Sequence, residues 1–219
     1  GFGWYQTTTR DGARSSSAQA YLKPVRKRPN LKVITRATAS RVTITDGRAT
    51  GVVYSVDGKG AFHEVAAKEV ILSGGAINSP QLLMLSGIGP AAHLRQHGID
   101  VVRDLPGVGG NLQDHLDVCT LQRCVRGLRY DQLSDVAVGL QYYLFKKGPG
   151  TSNIAETGGF LRSSLAEDER PDIQFHFVPA QLDDHGRNLL PGHGYTLHAC
   201  GLHPRSRGRI HLASASAGD

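Results

Sequence analysis

The 219-residue sequence holds no apolar run near the roughly 18–20 residues that a membrane-crossing helix needs. Cysteine is scarce: Cys119, Cys124 and Cys200 make an odd number with no regular spacing. That excludes a disulfide scaffold and suits buried thiols in a reducing compartment. The expected location is cytoplasmic, or peripheral at a membrane. A Cys-x4-Cys spacing alone is a poor zinc signal. Aromatic residues make up only 6% of the chain. Nothing reads as collagen, low complexity or an internal repeat.

What is present is an ordinary globular composition, 39% hydrophobic and 20% charged, with 27 glycines and 10 prolines. The length allows a sizeable core. The formal charge is +6, and it is uneven: residues 1–60 carry eleven Lys or Arg against three Asp. A basic first third suits an anionic ligand. One function class left open is a non-catalytic module whose residues 10–48 grip nucleic acid or another polyanion. Against it, Tyr21 is the only aromatic among those cations, too few for a base-stacking platform. The chain opens on Gly1 and closes on a run of small residues, which predicts a fragment of a longer protein.

The pattern along the chain predicts an α+β fold. A short helix runs from about Ser16 to Lys23. Residues 31–35 are β-rich. Alternating apolar and polar residues at 41–45 and 50–56, hinged at Asp46-Gly47, predict a β-meander, with Ala61 to Val65 pairing back. The apolar run at 69–72 predicts a strand buried on both faces. Ser79-Pro80 predicts a helix cap and first turn, and Gly87 its end. A second short helix ends at Gly98, and residues 99–103 and 117–125 read as strands. Residues 133–147 form an amphipathic helix with Val136, Leu140, Tyr143 and Leu144 on one face. Strands recur at 156–162, 172–178, 195–202 and 209–212. The texture changes near residue 117, which predicts two domains, 1–117 and 118–219.

The stretch from Ser73 to Gly89 reads SGGAINSPQLLMLSGIG. Glycines after a strand leave the main chain bare, and a helix start offers free N–H groups to an anion. Gly75-Ala76-x-x-Ser79-Pro80-x-Leu82-Leu83-x-x-Ser86-Gly87-Ile88-Gly89 resembles the second signature of the glucose–methanol–choline (GMC) oxidoreductases at every defined position. The likeness extends to Ala20-Tyr21-Leu22, to Arg28 through Val33, to Pro90 through Ile99, to Leu105 through His115, and to His203 through Ile210. It leans toward the alcohol and choline dehydrogenase branch.

That resemblance implies a partial FAD-binding, Rossmann-like domain with its meander, followed by part of a β-sheet substrate domain. The cofactor it implies is FAD. The partners it implies are a small alcohol and an electron acceptor, either oxygen or a quinone-like molecule. Carried over by position, the backbone of Ala39 meets the adenine, with Ser40 beside it. Ser73, Gly74 and Gly75 approach the cofactor from a second side. Asn111, Asp114 and His115 lie in a loop near the domain junction, and Glu156 faces the substrate. The family's G-x-G-x-x-G turn after a strand is not found in these residues. Its catalytic His is expected beyond Asp219, so no residue here is assigned as the base and the fragment alone is expected to be inactive.

Other chemistries lack their patterns. No G-x-S-x-G elbow surrounds Ser86. Histidines 176, 185, 193, 198, 203 and 211 offer no helical i, i+4 metal pair, so no metal is expected. Asp183-Asp184 is an adjacent pair that reads as a solvated turn.

Overall fold

The computed structural model describes residues 1–58, 62–126, 133–183, 187–190 and 192–219. In chain order its main elements are β1 (Phe2–Trp4), β2 (Ala37–Thr45), β3 (Arg48–Val56), β4 (His63–Ala66), α1 (Gly75–Leu85), α2 (Ala91–Gln96), β5 (Leu116–Arg123), α3 (Asp135–Phe145), β6 (Thr157–Leu161), β7 (Ile173–Val178) and β8 (Gly194–Gly201). They fall into two units. One joins Lys32–Gln113 to Arg205–Asp219 and is called here the meander unit. The other joins Gly1–Leu31 to Asp114–Pro204 and is called the sheet unit.

In the meander unit, β2, β3 and β4 pair antiparallel. Asp46 and Gly47 both take positive φ, 50° and 74°. This is the mirror-image turn whose twist matches the flanking strands. Ala61, expected to begin the returning strand, lies outside the described residues. Residues 31–35 form no strand, because Arg36 at φ 56° turns the chain just ahead of β2. The apolar run at 69–72 is not a strand either, and Ile71 is 80% exposed. Among the described residues no strand bonds to it, and an extended segment becomes a strand only through a ladder.

α1 starts five residues before the expected Pro80. Gly74 is its cap, with no side-chain hydrogen bond, and Pro80 sits inside the helix. Missing its N–H, Pro80 leaves one carbonyl of the preceding turn without its partner. Bonds at the far end of the helix offset that cost. The Ser86 hydroxyl, 7% exposed, donates to the Leu82 carbonyl at 2.6 Å and accepts the Val42 N–H at 2.8 Å. It ties the end of α1 to the middle of β2, so the serine of the signature acts in structure, not as a nucleophile.

Met84 and Leu94, 1% and 0% exposed, pack with Leu212 into the unit's core, with Leu85, Ile99, Val101, Val108 and Ile210 around them. Residues 99–103 shrink from the expected strand to a parallel pair, Arg103–Asp104 beside Ile88–Gly89. Residues 209–212 form no strand; the ladder near them is a single bridge, Leu112 to Gly208. Ile210 instead donates its N–H to the Gly109 carbonyl at 2.7 Å. Gly109 has φ +78°, and a Cβ there would collide with the Ile210 carbonyl.

The same closing segment meets α2 through His93, whose Nε2 accepts the Leu212 N–H at 3.0 Å. That nitrogen must therefore be unprotonated. Burial, then the neighbouring His97 and His211, hold the His93 pKa below the ordinary 6.5. A folded pKa lowered in this way gives stability that is complete above pH 6.5 and is lost as pH falls through the folded value. We therefore expect the urea midpoint of the full-length protein to drop on going from pH 7 to pH 5. A His93→Gln variant should flatten the part of that slope due to this residue; an unchanged slope would show that His93 is not its source.

In the sheet unit the strand order is β1-β6-β7-β8-β5, all antiparallel. Gly158 and Gly159 are neighbours in β6, between β1 and β7. A Cβ on Gly158 would strike the Tyr5 hydroxyl, and one on Gly159 the Phe2 ring. The glycine pair thus lets aromatic rings lie close on both faces. α3 forms as expected and ends at Lys146 in the left-handed conformation, its ammonium 4.1 Å from the Tyr142 ring centre. Its apolar face behaves differently from a core stripe: Val136, Leu140, Tyr143 and Leu144 are all exposed.

Candidate functional site

The bulge in β2 begins the site. Ala39 pairs with Tyr54 and Arg41 with Val53, so Ser40 is the extra residue. Its hydroxyl donates to the Val53 carbonyl at 3.1 Å. A bulge bends its strand and redirects the residues beside it. Here it borders a cavity of about 520 Å³ lined by Ala37, Thr38 and Ala39 from β2, by residues 70–74, and by Asn78, Ser79 and Leu82 of α1 among others.

Three of the residues picked from sequence therefore meet in one place: Ala39, Ser73 and Gly74. The chemistry of the wall is mostly main chain. Residues 70–73 bond to no strand among the described residues, and α1 begins without a side-chain cap, so its first N–H groups are open to a ligand. Gly74 has no spare room, because a Cβ would lie 3.0 Å from the Asn78 Cβ and 3.1 Å from the Ser79 nitrogen. Val52, Val70, Leu72, Leu82 and Leu85 supply an apolar floor. Bare backbone over an apolar floor suits a flat, partly polar ring system.

The remaining candidates are spread out. Gly75 opens α1 at φ +79°, with nothing within 4 Å of where its Cβ would be. Asn111, at φ 60°, lines a different cavity of about 390 Å³ with Ala76, Pro80 and Gly109. Asp114 and His115 are exposed, and the His115 N–H donates to the Asp114 carboxylate at 2.9 Å. Glu156 belongs to the sheet unit, half-buried just before β6, where its carbonyl accepts the Tyr5 N–H at 2.8 Å. Asp184 and His185 lie outside the described residues. Asp183 accepts a hydrogen bond from Asn188 at 3.1 Å.

The sheet unit gathers a second constellation that the sequence pattern did not single out. Cys119 lies opposite His198, and Asp117 opposite Cys200, in the β5–β8 register. The expectation of uniformly buried thiols fails at Cys119, which is exposed; Cys200 is buried. The available signal was the alternation Asp117-x-Cys119 and His198-x-Cys200 on two expected strands, which puts each pair on one face.

The sequence profile described as GMC oxidoreductase matches residues 1–117. An alcohol dehydrogenase (acceptor) of Pseudomonas putida is 51% identical over all of this chain and 41% of its own length. The mitochondrial choline dehydrogenase of Mus musculus is 46% identical over all of this chain and 37% of its own. A structure of Aspergillus oryzae formate oxidase, from work on FAD modification, superposes with a TM-score of 0.81 at 28% identity, covering 97% of this chain and 42% of that one. The chain thus spans about 40% of the length of the curated relatives it matches.

Proposed function

This chain belongs to the GMC oxidoreductase family, and we propose that it forms part of the FAD cradle and part of the substrate wall of an alcohol-oxidising flavoenzyme. The observation that carries this reading is the convergence of Ala39, Ser73 and Gly74 on one backbone-walled cavity. The flavin, when bound, supplies the acceptor for the hydride leaving the alcohol carbon. The protein's share is position: β2 and residues 70–74 hold the cofactor's edge between main-chain groups, and the floor of the cavity excludes water. Gly75, next to Gly74 at the start of α1, is assigned to the same cradle. Asn111, Asp114 and His115 are assigned to the cofactor side as loop residues. Glu156 is assigned to the substrate, where a carboxylate attracts a cationic alcohol or hydrogen-bonds a neutral one.

The electron acceptor under this reading is oxygen or a quinone-like molecule, and the location is cytoplasmic or peripheral at a membrane. No helix among the described residues is long and apolar enough to cross one. The test is anaerobic. The purified full-length protein should carry flavin, and a primary alcohol should bleach it; readmitting oxygen or adding a quinone then identifies the acceptor. A protein that holds no flavin after reconstitution, or whose bound flavin stays oxidised with choline and a panel of simple primary alcohols, would overturn the reading.

A further inference from the structure

On the face of the sheet unit formed by β5 and β8, three ligand-type atoms meet. The imidazole Nδ1 of His198 is 2.7 Å from Asp117 Oδ2 and 3.0 Å from Cys119 Sγ, and that sulfur is 3.5 Å from the same carboxylate oxygen. The register explains the closeness: Cys119 and His198 are directly opposed, with Asp117 two residues along β5 on the same face.

We propose that Cys119, His198 and Asp117 form a site for a thiophilic divalent cation, zinc foremost, bound through Sγ, Nδ1 and Oδ2. Ligand bonds of about 2.0 Å to nitrogen or oxygen and about 2.3 Å to sulfur give tetrahedron edges of roughly 3.3–3.6 Å. The observed triangle needs to open by about half an ångström on its two short edges, and its third edge already matches. Mixed sulfur, imidazole and carboxylate donors favour zinc over magnesium or calcium.

A rival use of these residues fits the geometry less well. In a nucleophile relay the cysteine and the carboxylate contact opposite nitrogens of the imidazole; here both contact Nδ1. Sulfur and nitrogen donors that converge by hydrogen bonds on one carboxylate oxygen become, once deprotonated, three ligands converging on a cation.

Support comes from the surroundings. The second oxygen of Asp117, Oδ1, accepts the Cys200 thiol at 3.2 Å, the kind of outer partner that orients a ligating carboxylate. The His176 ring stands edge-on to His198 at 6.4 Å between centres. Binding exchanges protons for metal: Cys119 loses its thiol proton to solvent, and the proton through which His198 Nδ1 now bonds Asp117 passes to Nε2, freeing the Nδ1 lone pair for the cation. One proton leaves for each cation bound.

The experiment uses the full-length, reduced protein, stripped by chelator and dialysed against Zn²⁺. We expect one tightly held zinc per chain, and affinity at least about tenfold lower in Cys119→Ser and His198→Ala. Independently of any variant, zinc should slow alkylation of Cys119, followed by mass spectrometry of its peptide. Metal retention does not depend on flavin, so a colourless preparation tests it equally well. Unchanged alkylation with added zinc, or equal zinc content in the folded Cys119→Ser variant, would overturn the proposal.

Discussion

Replacing Ala39 by Trp in the full-length protein is expected to give a folded protein that no longer retains flavin. The indole, which covers about 150–250 Å² when buried, would enter a cavity of about 520 Å³ at the strand bulge that forms its rim. The β2 ladder is expected to persist, because the substitution leaves the main-chain pairing of Ala39 with Tyr54, just before the bulge, in place. The expected loss is about 100-fold in FAD affinity, equivalent to roughly 3 kcal/mol. It is read as flavin fluorescence released in the wash during purification, with circular dichroism to show that the fold persists. Thr45→Trp, on the same strand but outside the cavity lining, should keep its flavin. Equal flavin content in the two variants would remove Ala39 from the cofactor site.

The largest effect on stability is expected at Leu94. It is 0% exposed and packs with Met84 and Leu212. Leu94→Ala removes buried apolar volume from a cluster that draws on α1, α2 and the last residues of the chain. It should cost about 2–5 kcal/mol, as such truncations do. Leu94→Ile, which conserves volume, should cost less than about 1.5 kcal/mol. Denaturant titration of the full-length protein reads both. A Leu94→Ala midpoint within error of the parent would mean that this cluster is not the centre of the unit's stability.

The sequence exposed those features that depend on near neighbours. The alternation at 41–45 and the Asp46-Gly47 step specify a hairpin locally, and it forms. Gly87 and Gly98 end their helices with positive φ, as residues without a Cβ do most cheaply. The start of α1 differs from expectation because Ser79-Pro80 is a strong local signal. The structure places that pair inside the helix, where its cap bond is not made. Features set by distant pairing were less legible. Nothing local indicates that Phe2–Trp4 bonds to Thr157–Leu161, or that residues 210–212 complete a core built around Met84. The family pattern brought Ala39 and Ser73 together as candidates, though they lie 34 positions apart. The Cys119–His198 contact left only a two-residue alternation to find it by, because it exists only in the register of two strands nearly eighty residues apart.

The bridge between Leu112 and Gly208 has a practical consequence. These residues exchange both main-chain bonds, at 3.0 and 2.8 Å, so the chain leaves and re-enters the meander unit at facing positions. A tight turn of about two to five residues spans such a gap. Starting the chain at Lys32, excising residues 113–207 and grafting that turn in their place would join Lys32–Leu112 to Gly208–Asp219, nearly all of the meander unit, as one uninterrupted polypeptide.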